Sequence, residues 1–195
     1  MRKVIRSPFV LLEGAERPIN VTKNSGCYLE ILSAISSQMN AILSRHSKLA
    51  VIRLDINTGQ KQTNNSEISR LVKKIKRRCE SWYGSDFGYT WAREANGQHH
   101  HYHIAIFLNG NRCNSGWRIH DWVSQQAQSY GWPPPHHSCS RKTFTVSRGS
   151  VNGFNQAFYA VSYLAKERSK DGSVHAHNYG ASHLRVTHLV SATEA

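Results

Sequence analysis

Phe87-Gly88-Tyr89-Thr90-Trp91-Ala92-Arg93-Glu94, then Ala95-Asn96-Gly97, then His101-Tyr102-His103-Ile104-Ala105-Ile106-Phe107-Leu108 is the stretch that decides the fold class. Both runs read as strands, and Asn109-Gly110 closes the second. The connection between them is too short for a parallel crossover, so they pair antiparallel. Working outward, residues 48–56 (KLAVIRLDI) read as another strand. Ala50, Ile52, Leu54 and Ile56 form its apolar face, and Arg53 and Asp55 lie on the other. A fourth strand is expected over 142–147. Helical spacing places helices from residue 27 to about 45, from a Ser66 cap to Cys79, over 117–130, and over 154–170 with Gly172 ending the last. Residues 1–25, with Pro8, Gly14 and Pro18, read as an N-terminal arm with one short strand. The rest, 26–195, reads as one domain. The expected class is α+β: a central antiparallel sheet of four to five strands flanked by helices.

The chain has 195 residues, 39% of them hydrophobic, which describes a foldable globular protein. It holds no apolar run near the 18 residues of a membrane span, so no membrane partner is expected. Phe9 to Leu12 is too short for a signal-peptide core, and a cytoplasmic location is the default. Cys27, Cys79, Cys113 and Cys139 form no C-x-x-C pair, which argues against a disulfide scaffold and a zinc ribbon. The net charge of +13 points to a polyanionic partner. Residues 1–78 carry 15 Lys and Arg against 5 Asp and Glu, whereas eleven of the 12 histidines fall in the nearly balanced remainder. One part looks like an electrostatic grip and the other like a site. The grip is densest at Arg70, Lys73, Lys74, Lys76, Arg77 and Arg78, six cations in nine residues without an acid. Such a run ordinarily marks a solvated helix face; here it also suits DNA phosphates.

Two constellations could carry chemistry. His101 and His103 are two apart on a strand, so their imidazoles share a face and could hold a divalent metal. Glu94 closes the preceding strand and would stand beside them. Two histidines and a carboxylate leave coordination positions open for a substrate oxygen. His99 and His100 compete for the assignment; 101 and 103 are preferred because they lead directly into the apolar strand. The second constellation is Tyr159, Tyr163 and Lys166. On an α-helix Tyr163 lies about 40° from Tyr159, with Lys166 about 20° to the other side, all on one stripe. Tyrosine stripes are more often packing. A hydroxyl beside a cation and a metal, however, is favoured toward the phenolate needed for covalent attack.

At these residues the sequence resembles a known family. His101-Tyr102-His103 is similar to the His-hydrophobic-His motif of the HUH endonucleases, and Tyr163-Leu164-Ala165-Lys166 to their Tyr-x-x-Lys motif. The Tyr159/Tyr163 pair resembles the two-tyrosine branch. The closer resemblance is to inovirus gene-II-like replication proteins and the YagK/YfjJ domain proteins. It is carried by Ile52-Arg53-Leu54-Asp55, Trp91-Ala92-Arg93-Glu94, His101-Tyr102-His103-Ile104-Ala105 and Phe158-Tyr159-x-x-Ser162-Tyr163-Leu164-Ala165-Lys166, with a fainter match at Tyr179-Gly180-Ala181-Ser182. These cover roughly 28–185. The resemblance implies an RRM-like HUH endonuclease domain that starts rolling-circle replication in a bacterial host, from a phage, prophage or other mobile element. Tyr163 would attack DNA with Tyr159 as its partner, Glu94, His101 and His103 would bind Mn or Mg, and Lys166 would stabilise charge near the phosphate. Arg70, Lys73, Lys74, Arg77 and Arg78 would grip single-stranded or origin hairpin DNA. Asp55 matches a family position without a role that spacing can assign. No G-x-x-x-x-G-K-[ST] is present, so a host helicase is the expected partner for strand opening.

Three other readings compete. A DNA-binding regulator on the same scaffold would use the charge and aromatics equally well, but every proposed catalytic residue is present. A zinc site at Cys113, His136, His137 and Cys139 has irregular spacing. A single-tyrosine transposase leaves the second tyrosine unexplained.

Overall fold

The computed structural model describes residues 3–60, 64–84, 86–96, 99–133, 143–167 and 178–187. In chain order these form β1 (Val4–Ile5), β2 (Phe9–Leu12), β3 (Ala15–Pro18), β4 (Cys27–Tyr28), α1 (Leu29–Arg45), β5 (Lys48–Asn57) and α2 (Ser66–Tyr83). There follow β6 (Phe87–Asn96), β7 (His99–Asn109), α3 (Trp117–Ser129), β8 (Phe144–Ser147), α4 (Val151–Val161), a 3-10 turn (Ser162–Ala165) and β9 (Tyr179–Ala181). The central sheet runs β8-β5-β7-β6-β9 and every pairing is antiparallel. The class is α+β, with five strands between two helical layers.

Strand alternation builds both layers. Ile52, Leu54 and Ile56 of β5 and Tyr102, Ile104 and Ile106 of β7 point to one side, where α2 and α3 cover them with Ile68, Leu71, Ile75, Ile119 and Val123. Leu49, Val51, Ala92, Ala105 and Phe107 point to the other, against Ile35, Met39 and Ile42 of α1 and Phe154, Phe158 and Val161 of α4. Each of these fully buried large side chains contributes about 1.5–3 kcal/mol of hydrophobic stabilisation. Among the described residues no helix is long and apolar enough to cross a membrane.

Four points differ from the sequence expectations. Residues 3–25 hold three strands rather than one short strand. β2 and β3 form a hairpin whose two-residue turn, Glu13 and Gly14, has positive φ at both positions (51° and 77°), matching the twist of the strands. The hairpin turns Val10 and Leu12 into the core, with Ile19 behind them, and leaves Leu11 exposed. Helix α4 begins at Val151, with the Ser150 hydroxyl accepting from the Gly153 amide, and ends at Val161. Regular helix does not reach Lys166: the Ser162 hydroxyl bonds back to the Tyr159 carbonyl (2.8 Å), and Lys166 forms a β-bridge with Cys27. The expected end of that helix at 168–172 lies outside the described residues. Helix α2 starts at Ser66, whose amide donates to Asn64 Oδ1; Ser66 is not a side-chain cap. Finally, β9 adds an edge strand to β6 that no periodicity announced. Gly180 permits it, because a Cβ there would stand 2.7 Å from the Trp91 indole.

Candidate active site

Register alone assembles one polar patch. Opposite residues in an antiparallel ladder share a face, and Asp55, His103 and Ala92 are aligned across β5, β7 and β6. The next aligned row on that face is Asn57, His101 and Glu94. The same face is apolar further along, at Val51, Ala105 and Phe107, where α1 and α4 cover it. The polar half therefore begins where the helical cover thins. His100 is buried and, by alternation, projects from the opposite side.

Within the patch His103 is the hub. Its Nδ1 is hydrogen-bonded to Asp55 Oδ1, which also accepts from Arg53 Nε at 3.0 Å. Its Nε2 lies 3.2 Å from Glu94 Oε2, an approach outside hydrogen-bond alignment, and this nitrogen is buried without a hydrogen bond. Burial opposes a charge on His103, but the two carboxylates outweigh it and raise the imidazole above its ordinary range. Burial likewise pushes Asp55 upward, and the hydrogen bond and charges of His103, with Arg53, overcome it and hold the carboxyl low.

Imidazole and carboxylate are donor types that a divalent cation can take. One carboxylate fixes Nδ1 of His103 and so presents Nε2 toward a second carboxylate, the outer-shell arrangement of metal-binding histidines. Glu94 and His103 are thus brought together. His101 is directly opposite Glu94 in register and half-buried. Among the described residues no three His, Cys, Asp or Glu side chains are gathered closely enough to hold an ion as they stand.

The tyrosines separate. Tyr163 meets the patch: its ring is edge-on to His103 at 5.1 Å between centroids, with the Arg53 guanidinium 4.3 Å and the Lys166 ammonium 4.9 Å from its centre. Tyr159 is 46% exposed on the last full turn of α4. The shift from α to 3-10 geometry rotates Tyr163 roughly 60–80° from Tyr159 instead of 40°, so the single stripe is broken. The turn that carries Tyr163 is clamped from the N-terminal segment. The Asn20 amide donates to Ser162 Oγ at 2.8 Å, the Glu167 amide to the Gly26 carbonyl at 2.9 Å, and Arg6 pairs with Glu167 at 3.0 Å.

Arg70, Lys73, Lys74, Arg77 and Arg78 all lie on α2, in the layer on the other side of the sheet from Tyr163 and His103. The structure does not bring them to the patch. Arg53 and the Asn20–Ser162 clamp had no role in the sequence reading. Alternation places Arg53 beside Asp55 on the polar face of its strand without assigning it a task; the clamp spans 142 residues and leaves no local signal. Of the alternative zinc ligands, Cys113 is buried against the α2–α3 layer, and His136, His137 and Cys139 lie outside the described residues.

A family model described as the YagK/YfjJ C-terminal domain matches residues 15–117. The match runs from β3 into the start of α3. It takes in Arg53, Asp55, Glu94, His101 and His103 and ends before Tyr159 and Tyr163. No curated protein and no solved structure matches the chain.

Proposed function

The chain belongs to the YagK/YfjJ C-terminal domain family, and from that premise we propose that it is a rolling-circle initiator-type endonuclease of the HUH superfamily, nicking and rejoining single-stranded DNA through a 5′-phosphotyrosine. The observation that carries this reading is the convergence on one tyrosine: Tyr163 stands against His103 with Arg53 and Lys166 around its ring. Glu94, His101 and His103 would hold Mn or Mg, which when bound supplies Lewis-acid polarisation of the scissile phosphate. Asp55 fixes the tautomer and direction of His103. Tyr163 Oη forms the new bond to phosphorus as the bond from phosphorus to the 3′ oxygen breaks. The proton lost by the phenol is balanced by the one the 3′ oxygen takes up. Arg53 and Lys166 put positive charge beside an oxygen that becomes more negative on the way. The linkage keeps the phosphodiester's energy, so the reverse attack by a 3′ hydroxyl reseals the strand.

In the two-tyrosine reading Tyr159 takes a second strand without release of the first, and its exposure leaves it accessible. The cations of α2 hold DNA electrostatically, and a host helicase in the bacterial cytoplasm opens the duplex. The test is incubation with labelled single-stranded DNA and Mn²⁺, followed by a denaturing gel. A covalent adduct is expected, mapped to the Tyr163 peptide and abolished by Tyr163→Phe, which keeps the ring. An adduct on Tyr159 alone would reverse the assignment. No adduct in the unsubstituted protein would leave the chain a DNA-binding regulator.

A further inference from the structure

The side of the protein opposite the tyrosine carries an ordered surface that the nicking chemistry does not use. Lys74, Arg78 and Trp82 recur every four residues on α2, and Arg118, Trp122 and Gln126 do the same on α3. Residues so spaced form one ridge on each helix, and the two ridges meet along a seam. Trp82 and Trp122 are edge-to-face at 6.5 Å. The Arg118 guanidinium lies 4.1 Å from the Trp82 ring centre, and that of Arg78 lies 5.5 Å from both indoles. Lys74 donates to Gln126 Oε1 at 3.3 Å and stands 4.9 Å from the Tyr130 ring. Beside the seam is a hollow of about 280 Å³ lined by Lys74, Arg77, Arg78, Ser81 and Trp122.

Two features say what this surface is for. Aromatic contact pins the arginines in place through their flat faces, which leaves N–H groups at their edges for an acceptor. Among the described residues Arg77, Arg78 and Arg118 have no acidic partner; the acids nearest in sequence, Glu80 and Asp121, are bound to Lys76 and Gln125. The indoles pack inward on one side and stay half-exposed on the other. Fixed cations alternating with half-exposed indoles match a strand whose phosphates alternate with unpaired bases. A duplex would satisfy the cations alone, because its base faces are stacked inside.

We propose that the α2–α3 seam binds single-stranded nucleic acid without sequence preference, with phosphates at Arg77, Arg78 and Arg118 and bases stacked on Trp82 and Trp122. The sheet lies between this site and Tyr163, so one chain holds two strand segments on its two sides. The binding half of the inference is independent of whether Tyr163 attacks DNA.

The test uses the full chain carrying Tyr159→Phe and Tyr163→Phe, in buffer with a chelator, so that no covalent product contributes. Oligo(dU) and oligo(U), which share a base, are titrated separately, and the tighter of the two identifies the sugar. Trp122→Leu should weaken binding about 5- to 150-fold, the loss of one stacked base. Arg118→Gln, at an exposed position that cannot unfold the core, should lower the slope of log affinity against log salt by about 0.7. Irradiation of a 5-iodouracil oligonucleotide should crosslink to peptides containing Trp82 or Trp122. Unchanged affinity and slope in Arg118→Gln, equal competition by duplex, or crosslinks confined to β7 and the Tyr163 turn would each overturn the proposal. Loss of adduct formation in the unsubstituted protein would refute the nicking reading and leave these binding results as they are.

Discussion

Ser162→Ala removes one oxygen from the middle of the clamp that holds the Tyr163 turn. Ser162 is fully buried; its hydroxyl accepts from the Asn20 amide at 2.8 Å and donates to the Tyr159 carbonyl at 2.8 Å. Alanine fits the space, so the cost lies in hydrogen bonding. The hydroxyl's own net contribution is about 1 kcal/mol, and an amide left without its acceptor adds about 1–3 kcal/mol. Asn20 is only half-buried and water can recover part of this, which brings the expected loss to about 2 kcal/mol. With a urea m-value of about 2 kcal/mol/M, the midpoint should fall by about 1 M. At this chain length the melting temperature should fall by about 4–8 °C. Ser129→Ala is the control: that hydroxyl also bonds a carbonyl, Gln126 O at 2.7 Å, but on an exposed turn. It should change stability by less than about 0.5 kcal/mol. Urea unfolding followed by tryptophan fluorescence reads both. A Ser162→Ala midpoint within about 0.2 M of the unsubstituted protein would refute the argument, and with it the idea that the N-terminal segment fixes the Tyr163 turn.

Gly180→Ala puts a methyl group into the Trp91 indole, 2.7 Å from where the Cβ must sit, and should destabilise by about 1–3 kcal/mol; thermal unfolding checks it. Asp86 joins Arg45 and His46 at the end of α1 to the start of β6, and those partners outweigh burial and hold its carboxyl below the ordinary 3.8. Its contribution is therefore complete above about pH 4 and is lost as pH falls through the folded-state value. Asp86→Asn should cost about 1 kcal/mol at pH 7, and urea midpoints of the two proteins should converge as pH falls below the ordinary carboxylate range; a constant gap would show that the charge is not responsible.

The sheet was legible because its signals are local. Asn96-Gly97 between two apolar runs dictates antiparallel pairing, and KLAVIRLDI sorts its own residues onto two faces. The histidine-carboxylate patch was half legible: alternation puts His101 and His103 on one side, and a short turn brings Glu94 opposite. Asp55 could not be assigned, since its contact with His103 depends on the β5–β7 register, which joins residues 48 apart. The hairpin at residues 9–18 did leave a signal in Glu13-Gly14 directly after the apolar run Phe9 to Leu12, hidden by the prolines on either side. The break after Val161 left none. A Tyr-Leu-Ala-Lys run is a good helix former, and only a distant amide and a distant strand turn it aside.

The clamp also sets an order of events during synthesis. The amide of Asn20 and the hydroxyl it meets are 142 residues apart. At 5–20 residues per second, roughly 7–28 s pass between the ribosome's making one and the other. Through that interval the early hairpin has no 3-10 turn to dock on, and β5 waits likewise for β7 and β8. Such a topology has high contact order and closes late, when segments from opposite halves of the chain meet. The tyrosine turn and its N-terminal tether are thus a single late-forming unit, and a nascent chain exposes the apolar edge of each until the other arrives.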